Sequence, residues 1–461
     1  MALTDTQDSD RSSDRLMELP GLIERTRARL KDSSDRSIAK RVAGGAFLIR
    51  VFSAALIYLL QILLARWMGG TEFGVYVYVW TLLLVIGDLA DLGLATAAQR
   101  FIPQYTKRRA FDLLRGYLAR GRWLALGSAT AIALLGELTL FSLRSYINDQ
   151  LVAPLAIAFL TLPLYSLMQV QDGIARSYNW IYVALLPTYI LRHLTILVVI
   201  AAAYLLDFPA AAETAIAAVA IAIVITAFGQ TVALNRKLAR EVPRGAKAHE
   251  IKTWYATSLP ILLVEGFYLL LTNTDVLAMQ FFRPSEDVAV YYAAAKTLAL
   301  IAFVHFAVSA AVSHRFSEYH VGRDRERLKA ILHDSVHWTF WSSAAMCAIV
   351  LAAGQPLLWL FGPKFVDGYS LMFILAVGLM ARAAVGPVER LLTMLGEQRI
   401  CAAIYAAAFA LNLILCIALI PRIGIEGAAV ATSTALVVES VMLFYVTRRR
   451  LGLHAFVWGH R

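Results

Sequence analysis

Apolar residues run along this chain in long blocks, each separated from the next by a short polar or basic stretch. A helix that crosses the hydrocarbon core of a bilayer needs about 20 predominantly apolar residues. That template fits twelve times: 43–65, 73–95, 123–141, 151–171, 181–205, 212–233, 256–281, 288–310, 334–354, 369–388, 400–420 and 427–447. The connecting stretches carry helix-start chemistry. Gly70-Thr71-Glu72-Phe73 and Pro284-Ser285-Glu286-Asp287 set capping oxygens and acids before the next block, where they would meet the positive end of a helix. The pattern predicts an all-α integral membrane protein with twelve transmembrane helices.

The blocks repeat. Val75-Tyr76 opens one that closes at Arg100-Phe101, and Val290-Tyr291 opens another that closes at Arg315-Phe316, with the same spacing between Tyr and Arg. Overlaying the two tyrosines sets the second half 215 positions after the first. Each half then holds an even number of spans, so the halves run parallel, related by a pseudo-twofold along the membrane normal, with a central cavity between them. The expected parts are a cytoplasmic tail with an amphipathic helix (1–42), a first six-helix half (43–233), a basic cytoplasmic linker (234–255), a second six-helix half (256–447) and a cytoplasmic tail (448–461).

Orientation follows from the charges. With the N-terminus inside, 34 of the 43 Lys and Arg fall in the inside segments, and only Arg66, Arg144, Arg283, Lys364 and Arg422 fall outside. That bias places both termini in the cytoplasm. The longest inside loops are 99–122, 234–255 and 311–333. The net charge of +11 is therefore a property of membrane topology and not of nucleic-acid binding.

Composition agrees: 59% of residues are hydrophobic and 16% charged, against roughly a quarter charged in soluble domains. The start of the chain lacks the apolar core of a cleaved signal peptide, so insertion is expected to rely on the first span. From Pro20, Leu19, Ile23, Thr26 and Leu30 recur at helical spacing with Arg25, Arg27 and Arg29 on the other faces, which suits either the anionic inner leaflet or a solvated tail. Cys347, Cys401 and Cys416 sit within apolar runs without metal-ligand spacing and read as core residues. Most tryptophans, Trp80 and Trp254 among them, fall close to span ends, as an aromatic belt does.

Charges at membrane depth carry the candidate chemistry. Arg50, Arg192, Lys296 and Arg382 lie inside predicted spans, as do Asp88, Asp91, Glu137, Glu265, Asp275 and Glu439. A base at the centre of a span costs about 2.5–3.5 kcal/mol to insert, so each needs a partner or water. Pro187, Pro260 and Pro387 interrupt spans and are candidate hinges or static kinks. His305, in mid-span, reads as a hydrogen-bonded core residue before a proton relay.

Several stretches together resemble a known family. They are Ala65-Arg66-Trp67-Met68-Gly69 with Phe73-Gly74-Val75-Tyr76, Asp91-Leu92-Gly93-Leu94, Asn273-Thr274-Asp275, Leu360-Phe361-Gly362 and Leu419-Ile420-Pro421-Arg422-Ile423-Gly424-Ile425-Glu426-Gly427-Ala428-Ala429. Over roughly residues 40–450 the chain resembles the polysaccharide-transport branch, the O-antigen and exopolysaccharide flippases, of the multidrug/oligosaccharidyl-lipid/polysaccharide exporter superfamily. One departure is Ser313-His314-Arg315, where similar sequences often have proline before the arginine.

The resemblance implies a flippase. It would move undecaprenyl-diphosphate-linked oligosaccharide units across the inner membrane by alternating access, for O-antigen, capsule or exopolysaccharide synthesis. Arg50, Arg192, Lys296 and Arg382 would then hold the diphosphate and any acidic sugars in a cationic cavity, or else be paired internally with the spans' acids. Glu265, Asp275, Asp88 and Asp91 would serve coupling or gating; Asp275 could instead cap a break in its helix, and Asp88 and Asp91 could simply be solvated at the cytoplasmic mouth. The offset of 215 makes Arg50 and Glu265 equivalent positions, so a state-dependent pair between them is a further expectation. Implied partners are the lipid-linked substrate, membrane lipids, a coupling ion (Na⁺ or H⁺), and a polysaccharide polymerase with its chain-length regulator; no cofactor and no metal site is implied. The alternative is a cation-coupled multidrug-type antiporter of small organic solutes. An enzyme is disfavoured, because the outside connections are short and no phosphate loop or nucleophile elbow is present.

Overall fold

The computed structural model describes residues 35–322 and 324–459. The amphipathic segment expected from Leu19 to Leu30, and the side chains of Ser313 and His314, lie outside what it describes. Two compact units are distinguished, Met1–Phe52 and Ser53–Arg461. In the first, residues 35–52 are helical and begin α1 (Asp35–Ala90).

The second unit continues α1 and adds α2 (Leu94–Arg108), α3 (Phe111–Ser142), α4 (Asp149–Ser177), α5 (Ile181–Leu185), a π-helical segment (Leu186–Leu191), α6 (Arg192–Leu205) and α7 (Ala212–Glu241). Then come α8 (Ile251–Leu271), α9 (Thr274–Phe282), α10 (Ser285–Leu298), α11 (Ala302–Val321), α12 (Arg325–Ala352), α13 (Gly354–Phe361), α14 (Tyr369–Val385), α15 (Val388–Met394), α16 (Gln398–Ile423) and α17 (Ile425–Leu451). Eleven helical stretches among the described residues are long and apolar enough to cross a membrane. The first of them, Leu48–Arg108, holds two expected spans, because the chain leaves helical geometry at Gly69 (φ 80°, ψ 174°). That conformation is essentially closed to residues with a Cβ. All twelve expected spans are therefore present as helix.

The breaks inside the spans did not all fall where proline stands. Pro260 sits within an uninterrupted α8, and the chain breaks instead after Leu271, before α9. Pro187 lies in the π-helical segment, where the wider turn accommodates its missing donor. Pro387 does mark a break, between α14 and α15. A further break without proline separates α1 from α2 at Asp91-Leu92-Gly93, with Leu92 and Gly93 both at positive φ.

At the end opposite the basic loops the two halves meet tightly. A Cβ on Gly74 would lie 1.7 Å from the Ser285 carbonyl oxygen, so only glycine allows this approach. Phe73 packs against Tyr292, Phe361 and Phe365, Gln61 donates to the Tyr292 hydroxyl at 2.9 Å, and Arg66 donates to the Leu360 carbonyl. The helix-start chemistry read from the sequence is redirected here. Glu72 caps the backbone N–H of Ala212 at the start of α7, 2.8 Å away. Glu286 pairs with Lys364 and Asp287 with Arg283, and the N-terminus of α10 has no side-chain cap.

At the basic end the linker is stitched to α3. The Ala248 N–H donates to the Asp112 carbonyl, and Arg115 donates to the carbonyls of Ala246 and Pro243. Trp254 is fully buried and donates to the Tyr105 hydroxyl at 2.9 Å, so it is an anchor between halves and not part of an aromatic belt. Trp80 is likewise drawn inward, while Trp123, Trp338, Trp359 and Trp458 are exposed as a belt requires.

The topology has a direct test. In a background without the three buried cysteines, Ser145→Cys is expected to react with an impermeant maleimide on intact cells, whereas Arg109→Cys and Lys247→Cys react only after permeabilisation. Labelling of intact cells at either basic-loop position would overturn the orientation.

Candidate functional site: a polar cavity and the charges around it

A cavity of about 310 Å³ opens among α1, α2, α4 and α8. Its floor follows from the break after Ala90. Asp91 accepts from the N–H groups of Gly93 (2.7 Å) and Ala95 (3.1 Å), which satisfies donors that the start of α2 would otherwise leave orphaned. Asp91 is thus buried and capping, not solvated as the sequence reading allowed. One turn earlier, Asp88 faces the same space and accepts from Gln169 on α4 at 2.5 Å. Across the cavity, Glu265 on α8 accepts from the Thr96 hydroxyl at 2.9 and 3.1 Å. Three of the four acids singled out in the sequence are thereby brought together.

The sequence reading missed the rest of this lining. Asp172 and Arg176 on α4 form an ion pair at 2.5 Å, and Gln99 and Tyr268 complete the polar wall. Asp172 and Arg176 lie four residues apart just past the block 151–171, so they read as loop. The signal was Gln169 and Gln171 at the inner end of that block: polar groups at a span end with an i, i+4 charge pair beyond them extend a helical face. Among charged lining residues there are four carboxylates and one guanidinium, so the cavity is acidic in sign. Arg192, Lys296 and Arg382 do not line it.

Asp275, the fourth acid, stands apart at the start of α9. It accepts from its neighbour's N–H (Val276, 2.8 Å), from the Tyr291 hydroxyl on α10 and from the Thr432 hydroxyl on α17 (3.0 Å). Nearby, Asn412 on α16 donates to the Leu271 carbonyl left unpaired by the α8–α9 break. Asp275 is thus held by three neutral donors beside a helix break.

The four bases at membrane depth have different surroundings. Lys296 on α10 packs its ammonium over the Tyr292 ring at 4.9 Å, and no carboxylate lies within ion-pairing distance of it among the described residues. Arg192 is buried between the rings of Trp80 (5.4 Å) and Tyr165 (5.7 Å). Arg382 on α14 pairs with Glu389 on α15 at 2.9 Å and approaches Glu439 on α17 at 3.9 Å. It also donates to the Tyr268 hydroxyl at 3.2 Å, with Tyr405 donating to Glu389 behind it. Arg50 belongs to the first unit and is half-buried there. The ring nitrogens of His305 are both buried and neither is hydrogen-bonded among the described residues, contrary to its reading as a hydrogen-bonded core residue.

A family model described as Polysaccharide biosynthesis protein matches residues 43–320. The chain belongs to that family. A second model, MatE, matches residues 260–418. The fold is that of the MOP superfamily. A multidrug resistance MATE family transporter of that superfamily, in an inward-facing conformation, superposes with a TM-score of 0.70 at 16% identity, over 88% of this chain and 98% of that one. A MOP superfamily transporter from Pyrococcus furiosus Vc1, described as having a binding pocket of reversed polarity, gives 0.67 at 16% identity over 90% and 96%. The lipid II flippase MurJ, in an inward closed conformation, gives 0.65 at 15% identity over 87% of each chain. No curated protein matches the chain. The members of this superfamily named here are solved in more than one conformation about the same two-half fold, so the family supports both the twelve-span and the two-half readings.

Proposed function

We propose that this protein flips a lipid-linked oligosaccharide across the inner membrane by alternating access of its two halves. The carrying observation is the polar cavity enclosed by α1, α2, α4 and α8 within a member of the polysaccharide biosynthesis family. Carboxylates, primary amides, a hydroxyl and the Tyr268 ring are the groups that bind sugars, accepting from and donating to paired hydroxyls while an aromatic face covers the ring carbons. Lys296, a membrane-depth base with no carboxylate in ion-pairing distance, is the group for the diphosphate. Asp275 is the acceptor for a coupling cation, with Tyr291 and Thr432 as its companions.

The acidic sign of the cavity favours a second reading, export of small organic cations. Four carboxylates against one guanidinium would attract a cationic solute at least as well as a neutral sugar. Proteoliposomes separate the two. The flippase reading expects protein-dependent exposure of a fluorescent undecaprenyl-diphosphate oligosaccharide to an external quencher and no saturable uptake of ethidium. Ethidium exchange without lipid flipping would replace it with the antiporter reading.

A further inference from the structure

The last helix ends at Leu451, and the chain does not leave the protein there. Gly452, at φ 63°, closes α17 with its N–H on the Arg448 carbonyl, and Arg325 donates to the Leu451 carbonyl at 3.0 Å. The next residues, 453–455, form no regular element and lead into a turn at 457–458. Leu453, Ala455 and Val457 are buried, while His454 and Trp458 are exposed, so alternate side chains press into the protein. The buried face joins the apolar cluster of Val336 on α12 with Ala384, Val385 and Val388 beside the break between α14 and α15.

That break has a defined hydrogen-bond deficit. In an unbroken helix the Ala384 carbonyl would accept from the N–H of Val388, four residues on. Here the Val388 N–H turns to the Gly386 carbonyl, and Gly386 occupies φ 63°, ψ −152°, where an added Cβ would lie 2.9 Å from the Val336 Cα. The orphaned Ala384 carbonyl receives the Val457 N–H at 3.0 Å. On the other side of the break, the ion pair from Arg382 to Glu389 spans it within the protein.

We propose that residues 453–457 form a strap that holds the Gly386-Pro387 hinge at one angle, so that Glu389 stays against Arg382 until the strap lifts. Val457 is a positioning residue in this scheme, acting through its backbone. The hinge is braced from inside by a salt bridge and from outside by the strap, and bending of the basic end of the second half requires release of both. This inference does not depend on which substrate is carried.

Cys401 reports on the hinge, because it is buried in the same apolar cluster as Val388, Leu391 and Leu392. The test uses full-length protein in lipid nanodiscs with either Cys401 or Cys347 as its single cysteine, and follows the rate of maleimide labelling. Val457→Pro removes the donor, Ala455→Gln evicts the strap by size, and Val457→Ala keeps the N–H. Cys401 labelling should rise about tenfold with Val457→Pro and Ala455→Gln, the factor that goes with one lost buried hydrogen bond. It should stay near the original rate with Val457→Ala, and Cys347, in the other apolar cluster, should not change. Unchanged Cys401 rates in both disruptive variants would overturn the strap. So would Cys347 accelerating in step, which would make the tail part of the global core and not a local brace.

Discussion

Replacing Arg382 with alanine is expected to destabilise the protein by about 3–5 kcal/mol, the cost of leaving buried acids without their counter-charge. Glu439 is wholly buried and Glu389 largely so; Arg382 is the base that faces both, and Glu389 alone would keep a second one, the half-exposed Arg390 at 3.8 Å. The measurement is the apparent melting temperature of purified protein, with expression level alongside. Arg382→Met combined with Glu389→Gln and Glu439→Gln should recover most of the loss, because the penalty lies in the unpaired carboxylates and a buried ion pair is itself weakly stabilising. The Tyr405 hydroxyl, which donates to Glu389, can donate equally to the amide oxygen that Glu389→Gln introduces, so that bond does not obstruct the rescue. Normal stability of Arg382→Ala together with lost export would show instead that the arginine binds substrate.

Lys296→Ala should behave in the opposite way. On the proposed flippase reading, flipping of the lipid-linked oligosaccharide in proteoliposomes should fall by roughly ten- to a hundredfold, the range expected for removal of a charge-assisted hydrogen bond of about 1.5–3 kcal/mol, while protein level and melting temperature stay close to normal. Lys296 makes no ion pair, and Asp275, the acid it attracts through space, keeps its donors Val276, Tyr291 and Thr432 when the lysine is removed, while alanine relieves the desolvation of the base. Lys296→Arg tests geometry, since a guanidinium and an ammonium present different donor patterns to a phosphate. Unaltered flipping by Lys296→Ala would remove this residue from the substrate site, and the diphosphate would then need another partner.

These two bases looked alike in the sequence, each a single charge inside an apolar block, and the same substrate-binding role was read for both. Their difference lies in Glu389 and Glu439, which stand 7 and 57 positions after Arg382. Glu389 follows Pro387 just beyond the block 369–388, and nothing local marks it as membrane-embedded. The break at Gly386-Pro387 redirects the chain into α15 and brings Glu389 to Arg382, and this turns a loop acid into a buried partner. A different effect hid Asp172 and Arg176: α4 runs on past the block 151–171, whose boundary put them in a loop.

The sequence by itself determined the membrane class, the twelve spans, the duplication, the family and the positions where charge enters the apolar blocks. It could do so because the hydrocarbon core imposes a length and a polarity on every span, and both are local along the chain. Only the tertiary structure decided which charge meets which. It set Asp88, Asp91 and Glu265 around one acidic cavity, held Asp275 on Tyr291 and Thr432, enclosed Arg382 between two acids and left Lys296 against a ring. The physical reason is that most of these partnerships join different helices, as far apart in sequence as Asp91 and Glu265 or Asp275 and Thr432, while Lys296 meets a ring one turn back on its own helix. Hydropathy reports how deep a side chain lies in the membrane, and only packing determines the face it turns to and the neighbour it finds there.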